Sequence, residues 1–124
     1  MEFFEEIKIS NWNESDLKKL LTIKNLPKLC QSINTVILDK QQNGIIYCIW
    51  GEFEINREEL KNGIRFTLPN CHNGFAWTIT IDTERNQLLI HGTINKREHD
   101  EDFIASIEQF IKDWSNGLTA LHGT

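Results

Sequence analysis

Two alternating segments followed by a long amphipathic stretch constrain this chain more than any other feature. Residues 75–82 (Phe-Ala-Trp-Thr-Ile-Thr-Ile-Asp) and 88–94 (Leu-Leu-Ile-His-Gly-Thr-Ile) place apolar side chains at every second position, the signature of half-buried strands. With Thr83 to Asn86 as the loop, Ile81 faces Leu88, Ile79 faces Ile90, Trp77 faces Gly92 and Phe75 faces Ile94. Every inward pair is then apolar, and the Trp77 ring covers the strand glycine. The other face carries Thr78, Thr80, His91 and Thr93, with Leu89 its one apolar member. Beyond this hairpin, Phe103, Ile104, Ile107, Phe110, Ile111 and Trp114 recur at helical spacing and form one stripe, which must lie on the sheet.

The earlier chain extends the pattern. Glu5 to Ile9 reads as a short strand, and the cap-type residues between Asn11 and Asp16 precede a short helix marked by Leu17, Leu20 and Leu21. Pro27 restarts the chain as a second short helix, with Leu26, Leu29, Cys30 and Ile33 on its apolar side. Thr35 to Leu38 and a long run from Ile45 to Ile55 read as a hairpin about Lys40–Gly44. Asn56 to Gly63 reads as a polar connection with one helical turn at Arg57 to Lys61. Ile64 to Leu68 resumes alternation, placing Ile64, Phe66 and Leu68 in the inward set. In this reading Val36, Tyr47, Phe66, Trp77 and Ile90 all face the helix containing Ile107. Ile46, Cys48 and Trp50 then stand on the opposite side, either covered by another element or exposed as an interaction patch. The fold class is α+β: an antiparallel sheet of about six strands, two short N-terminal helices and one long C-terminal helix packed on the sheet.

Composition narrows the function. The 124 residues fit one domain spanning 1–124. Thirteen Lys and Arg against eighteen Asp and Glu give a net charge of −5, which argues against nucleic acid as a partner. No apolar run approaches the roughly 18 residues of a membrane span, and acidic residues stand where a signal peptide has basic ones, so a cytoplasmic location is expected. Cys30, Cys48 and Cys71 lack CxxC spacing and read as reduced thiols rather than a disulfide framework or zinc site.

Candidate chemistry is sparse. Cys71-His72 is the one adjacent thiol and imidazole, and a nucleophilic role needs the base within hydrogen-bond reach, which adjacency in sequence does not supply. His91 reads as an exposed or hydrogen-bonded surface residue, and His99 and Asp102 as flanking the helix start, where negative charge suits the dipole. The pairs Glu52/Glu54 and Glu58/Glu59 read as solvated carboxylates. No phosphate loop, HExxH or GxSxG motif occurs, so neither a cofactor nor a metal is expected and enzymatic function is not indicated.

Strand, two short helices, antiparallel strands and a closing helix is the order of the helix-grip fold. On Asn25-Leu-Pro-Lys-Leu29 and on the stretch Phe103 to Leu121, with Phe110-Ile-Lys-Asp-Trp114 and Gly117-Leu-Thr-Ala-Leu121, the chain resembles the START-related (SRPBCC) superfamily. That family commonly has seven strands. The resemblance implies a hydrophobic small molecule held between sheet and helix, in a space lined by Tyr47, Ile49, Phe53, Phe66, Trp77, Ile79, Phe110 and Trp114. The same residues also read as a packed core, and acidic secretion-chaperone-like domains share the late strand, helix and Trp. Two functions follow. One is a ligand-binding domain with an apolar cavity under Trp114. The other is a partner-binding module, an adaptor, chaperone, inhibitor or immunity-type protein, with a filled core and a contact surface at Ile46, Cys48 and Trp50. A cyclase- or hydrolase-like enzyme comes third.

Overall fold

The computed structural model describes residues 1–9, 11–95 and 100–122. Strand β1 (Glu2–Lys8) is followed by α1 (Glu14–Leu20), a 3₁₀ turn (Ile23–Asn25) and α2 (Leu26–Leu29). Six further strands follow: β2 (Ile33–Asp39), β3 (Asn43–Cys48), β4 (Gly51–Leu60), β5 (Gly63–Thr67), β6 (Ala76–Asp82) and β7 (Gln87–Thr93). Helix α3 (Glu101–His122) closes the chain. The seven strands form one sheet in the order β1-β7-β6-β5-β4-β3-β2, antiparallel throughout. This is the α+β, helix-grip-like order expected from the sequence, with one strand more than counted.

The extra strand arises at Gly51. The run from Ile45 to Ile55 is not one strand, because Gly51 takes a φ of 112°, a left-handed conformation that glycine reaches at little cost, and turns β3 into β4. The polar stretch after Asn56 is not a connection with a helical turn either. It continues β4 to Leu60, with Arg57 opposite Phe66 and Glu59 opposite Ile64. The final hairpin has the expected register, with Ile81 opposite Leu88, Ile79 opposite Ile90 and Trp77 opposite Gly92. A side chain at Gly92 would meet Ile111 at 2.9 Å and Phe75 at 3.3 Å, so those two share in covering the glycine.

Helix starts follow capping chemistry. Asn13 accepts from the Asp16 amide at 2.9 Å while Asp16 accepts from the Asn13 amide at 3.1 Å, a reciprocal box at the head of α1. Asp100 accepts from the Phe103 amide at 2.8 Å and starts α3. His99 lies outside the described residues, whereas Asp102 stands in the first turn of α3. The apolar stripe of α3 buries Ile107, Phe110, Ile111, Trp114 and Leu118 on the sheet. Near its end, α3 crosses α2 so closely that a Cβ on Gly117 would collide with the Leu29 carbonyl.

Candidate functional site

The space between sheet and helix is filled. Phe66 and Trp77 stack across the β5–β6 ladder with ring centroids 5.3 Å apart, and Trp114 of α3 lies 6.1 Å from Phe66. Phe110 meets Trp77 edge-on at 4.9 Å and Phe75 at 5.2 Å. Such offset and T-shaped contacts are the favoured arrangements of aromatic rings. Phe66, Trp77, Ile79, Phe110 and Trp114 are each at most 1% exposed. Five of the eight residues expected to line a ligand space are therefore one packed core. The indole N–H groups of Trp77 and Trp114 are buried there with no hydrogen-bond partner among the described residues.

The remaining three lie elsewhere. Tyr47 and Ile49 do not face α3: they are 49% and 48% exposed, and Ile46 and Cys48 are buried in their place. The parity of β3 is set by its ladder with β4, where Ile46 stands opposite the inward Phe53 and Tyr47 opposite the exposed Glu52. The expected contact patch at Ile46, Cys48 and Trp50 is corrected by the same observation. Trp50 is half-buried, its Nε1 donating to Ser106 Oγ at 2.9 Å. Phe53 is half-buried beside it. Of the other residues expected inward, Phe66, Trp77 and Ile90 are buried and Val36 half-buried.

The outer face is acidic and apolar at its β2–β4 end. Tyr47 stands opposite Glu52 and Ile45 opposite Glu54, so each apolar side chain of β3 on this face has a carboxylate as its cross-strand neighbour. Glu58, further along β4, stands opposite Arg65. Leu38 continues the apolar row onto β2 opposite Ile45, and it and the neighbouring Ile37 are 40% and 50% exposed. At the other end Glu2 Oε1 accepts from His91 Nε2 at 3.0 Å and the His91 ring stacks on Phe4 at 4.5 Å, a surface arrangement.

Buried polar groups serve the fold. Arg57 donates from Nε to the Leu21 carbonyl at 2.6 Å and from Nη2 to the Lys18 carbonyl at 2.9 Å, pairing the open carbonyls at the end of α1. It also meets Glu59 at 3.6 Å. Asp113 accepts from Ser32 Oγ and from Gln109 Nε2, which ties α3 to the segment before β2. Sequence reasoning missed both, because a charge on the inward face of a strand or helix looks like a break in the pattern.

The three cysteines are free. Burial pushes the Cys30 thiol well above its ordinary range and raises that of Cys48. Cys71 is half-exposed and His72 exposed on the turn before β6. Among the described residues no group of three His, Cys, Asp or Glu is placed to hold a metal ion. No described helix is long and apolar enough to cross a membrane.

No family model and no curated protein matches this chain. Two solved structures resemble it closely in shape. XoxI from Bacillus cereus aligns at a TM-score of 0.68 and 17% identity over 98% of this chain and 94% of that one. A putative uncharacterized protein from Bacillus thuringiensis aligns at 0.65 and 17% identity over 99% and 97%. At that identity the likeness speaks for the fold.

Proposed function

We propose that this chain is a partner-binding module whose contact surface is the outer face of β2, β3 and β4. In this reading it keeps the helix-grip order of the START-related domains it resembles but closes the grip on its own side chains. The observation that carries it is the distribution of apolar surface. The sheet–helix space holds stacked rings, while Ile37, Leu38, Tyr47 and Ile49 are between 40% and 50% exposed at one end of the sheet. Several large apolar side chains gathered on one face are the ordinary mark of an interaction surface.

The chemistry of that face selects the partner. Glu52 and Glu54 stand beside Tyr47 and Ile45, so a complementary surface brings aliphatic or aromatic groups flanked by Lys or Arg. A second copy of this chain is disfavoured, because a twofold contact through this face would bring the same carboxylates together. Strand addition is disfavoured as well: β2 is the outermost strand, but its pairing with β3 shifts register twice, between Ile33 and Thr35 and between Val36 and Leu38. Irregularities of this kind blunt an edge against further pairing. The partner is therefore a basic protein surface docking on the face of the sheet.

The test compares the native chain with the double variant Tyr47→Asp and Ile49→Asp as immobilised baits, followed by purification of what binds. A basic protein that binds the native chain at least tenfold more tightly than the variant, and more weakly as salt rises, is the expected result. A partner held equally by both would overturn the assignment.

A further inference from the structure

We propose that a cleft at the mouth of the sheet, beside the start of α3, binds one small uncharged aromatic group, a single ring or a fused pair. The cleft has a volume of about 220 Å³ and is walled by Trp50, Phe53, Phe75 and Phe103. It is separate from the exposed face of β2–β4, since none of Ile37, Leu38, Tyr47 or Ile49 lines it.

Its walls are held before any ligand arrives. The Trp50 indole donates to Ser106 Oγ at 2.9 Å, and Ser106 Oγ donates to the Phe103 carbonyl at 2.6 Å, so one wall is fastened to the first turns of α3. Phe75 meets the Trp50 ring edge-on at 5.4 Å and is 2% exposed, which fixes it as a floor. The rim comes from the turn before β6, which carries Cys71 and His72. Asn70 Oδ1 ties that turn to the Glu54 amide at 3.0 Å, and the Asn95 amide donates to the Asn73 carbonyl at 2.9 Å. A site ordered in advance spends little of its binding energy on ordering side chains.

Size and charge choose the ligand class. Sites for drug-sized molecules run from roughly 300 to 1,000 Å³, so this one accepts one ring or a fused pair and not a sterol or a folded lipid chain. Among the described residues, no carboxylate, lysine or arginine lines it. A charged ligand would be desolvated against these rings, whereas a neutral ring gains offset or edge-to-face contacts with up to four aromatic walls.

Cys71 at the rim supplies the readout, because the other two thiols are buried. Iodoacetamide forms a carbon–sulfur bond at Cys71 with loss of iodide and of the thiol proton to buffer, and a ring seated in the cleft obstructs that attack. Alkylation of the native chain is followed with indole or benzyl alcohol as free rings and with N-acetylphenylalaninamide as a ring borne on a peptide. At a ligand concentration about twice the dissociation constant, the rate should fall about threefold, by mass action alone. Slowing by either kind of ring supports the site, and the tighter of the two assigns the source as a free metabolite-like ring or a peptide side chain. A second measurement uses Cys71→Leu, which narrows the rim: its Trp emission should respond at least tenfold more weakly to the same ring. Unchanged alkylation with every ring, or an undiminished emission response in Cys71→Leu, would overturn the proposal.

Discussion

Trp77 and Trp114, one on β6 and one on α3, lie with ring centroids 6.3 Å apart in the middle of the molecule, each at most 1% exposed. Two of the largest side chains of the protein thus occupy the place where a helix-grip domain would hold a ligand. Phe110 seals the same region by its edge-on contact with Trp77. Truncating Phe110 to alanine should cost about 3–5 kcal/mol, the usual range for a buried phenylalanine in a packed core. Denaturant melts measure this directly, and a loss below about 1 kcal/mol would show that the region is not packed.

Arg57 offers a sharper test of how α1 is held. Its fork reaches two helix-end carbonyls at once, from Lys18 and Leu21. Replacement by leucine should cost about 3 kcal/mol, because hydrogen bonds from a charged donor are lost and buried carbonyls are left unpaired. Lysine should recover little of this, since a single ammonium cannot reproduce the planar fork. Equal stability of Arg57→Lys and the native chain in urea would contradict the role assigned.

The buried thiols make stability depend on alkaline pH. Cys30 and Cys48 both have thiols raised from the ordinary value of 9.0. An acid whose folded value is raised favours the folded state fully below the unfolded value and loses that contribution as pH rises above it. Between pH 9 and about pH 11, stability should therefore fall, by at most about 1.4 kcal/mol per pH unit for each thiol. Cys30→Ala should start less stable at neutral pH yet show a shallower alkaline slope. The same slope in both proteins would remove Cys30 from the explanation.

Much of the fold was legible from the residues. The β6–β7 hairpin was readable in register because alternation holds over both strands and only one parity buries Trp77, Ile79 and Ile81. The β3 segment was not. Its run from Ile45 to Trp50 is apolar on both faces, so period alone cannot choose between Ile46 and Tyr47, and the choice is made by pairing with β4. The second half of β4 escaped notice because its buried position carries a charged residue, Arg57, a requirement of α1 that no local pattern announces. With the parity open, Tyr47 and Ile49 were expected toward α3 and Ile46 and Cys48 away from it, whereas Ile46 and Cys48 are the buried pair. The seventh strand needed the left-handed turn at Gly51, which glycine permits but does not signal by itself.

Gly117 tests the seat of α3 on α2. Alanine is worth up to about 1 kcal/mol more than glycine within an isolated helix, so propensity alone predicts a gain. At this crossing the added Cβ meets the Leu29 carbonyl, and the backbones must part. Gly117→Ala should instead lose about 1–3 kcal/mol, the usual cost of overpacking. A stabilised variant in thermal melts would mean that the two helices do not cross so closely.

The partner-binding assignment depends on a filled sheet–helix space, and xenon reports on that space most directly because it enters dry apolar cavities without needing a specific contact. Methyl NMR spectra recorded under increasing xenon pressure should leave the Ile79 and Ile107 resonances in place, since both side chains are fully buried in the packed core. Saturating shifts at those two methyl groups would reveal a cavity under α3, restore the ligand-binding reading and contradict a core closed on its own side chains.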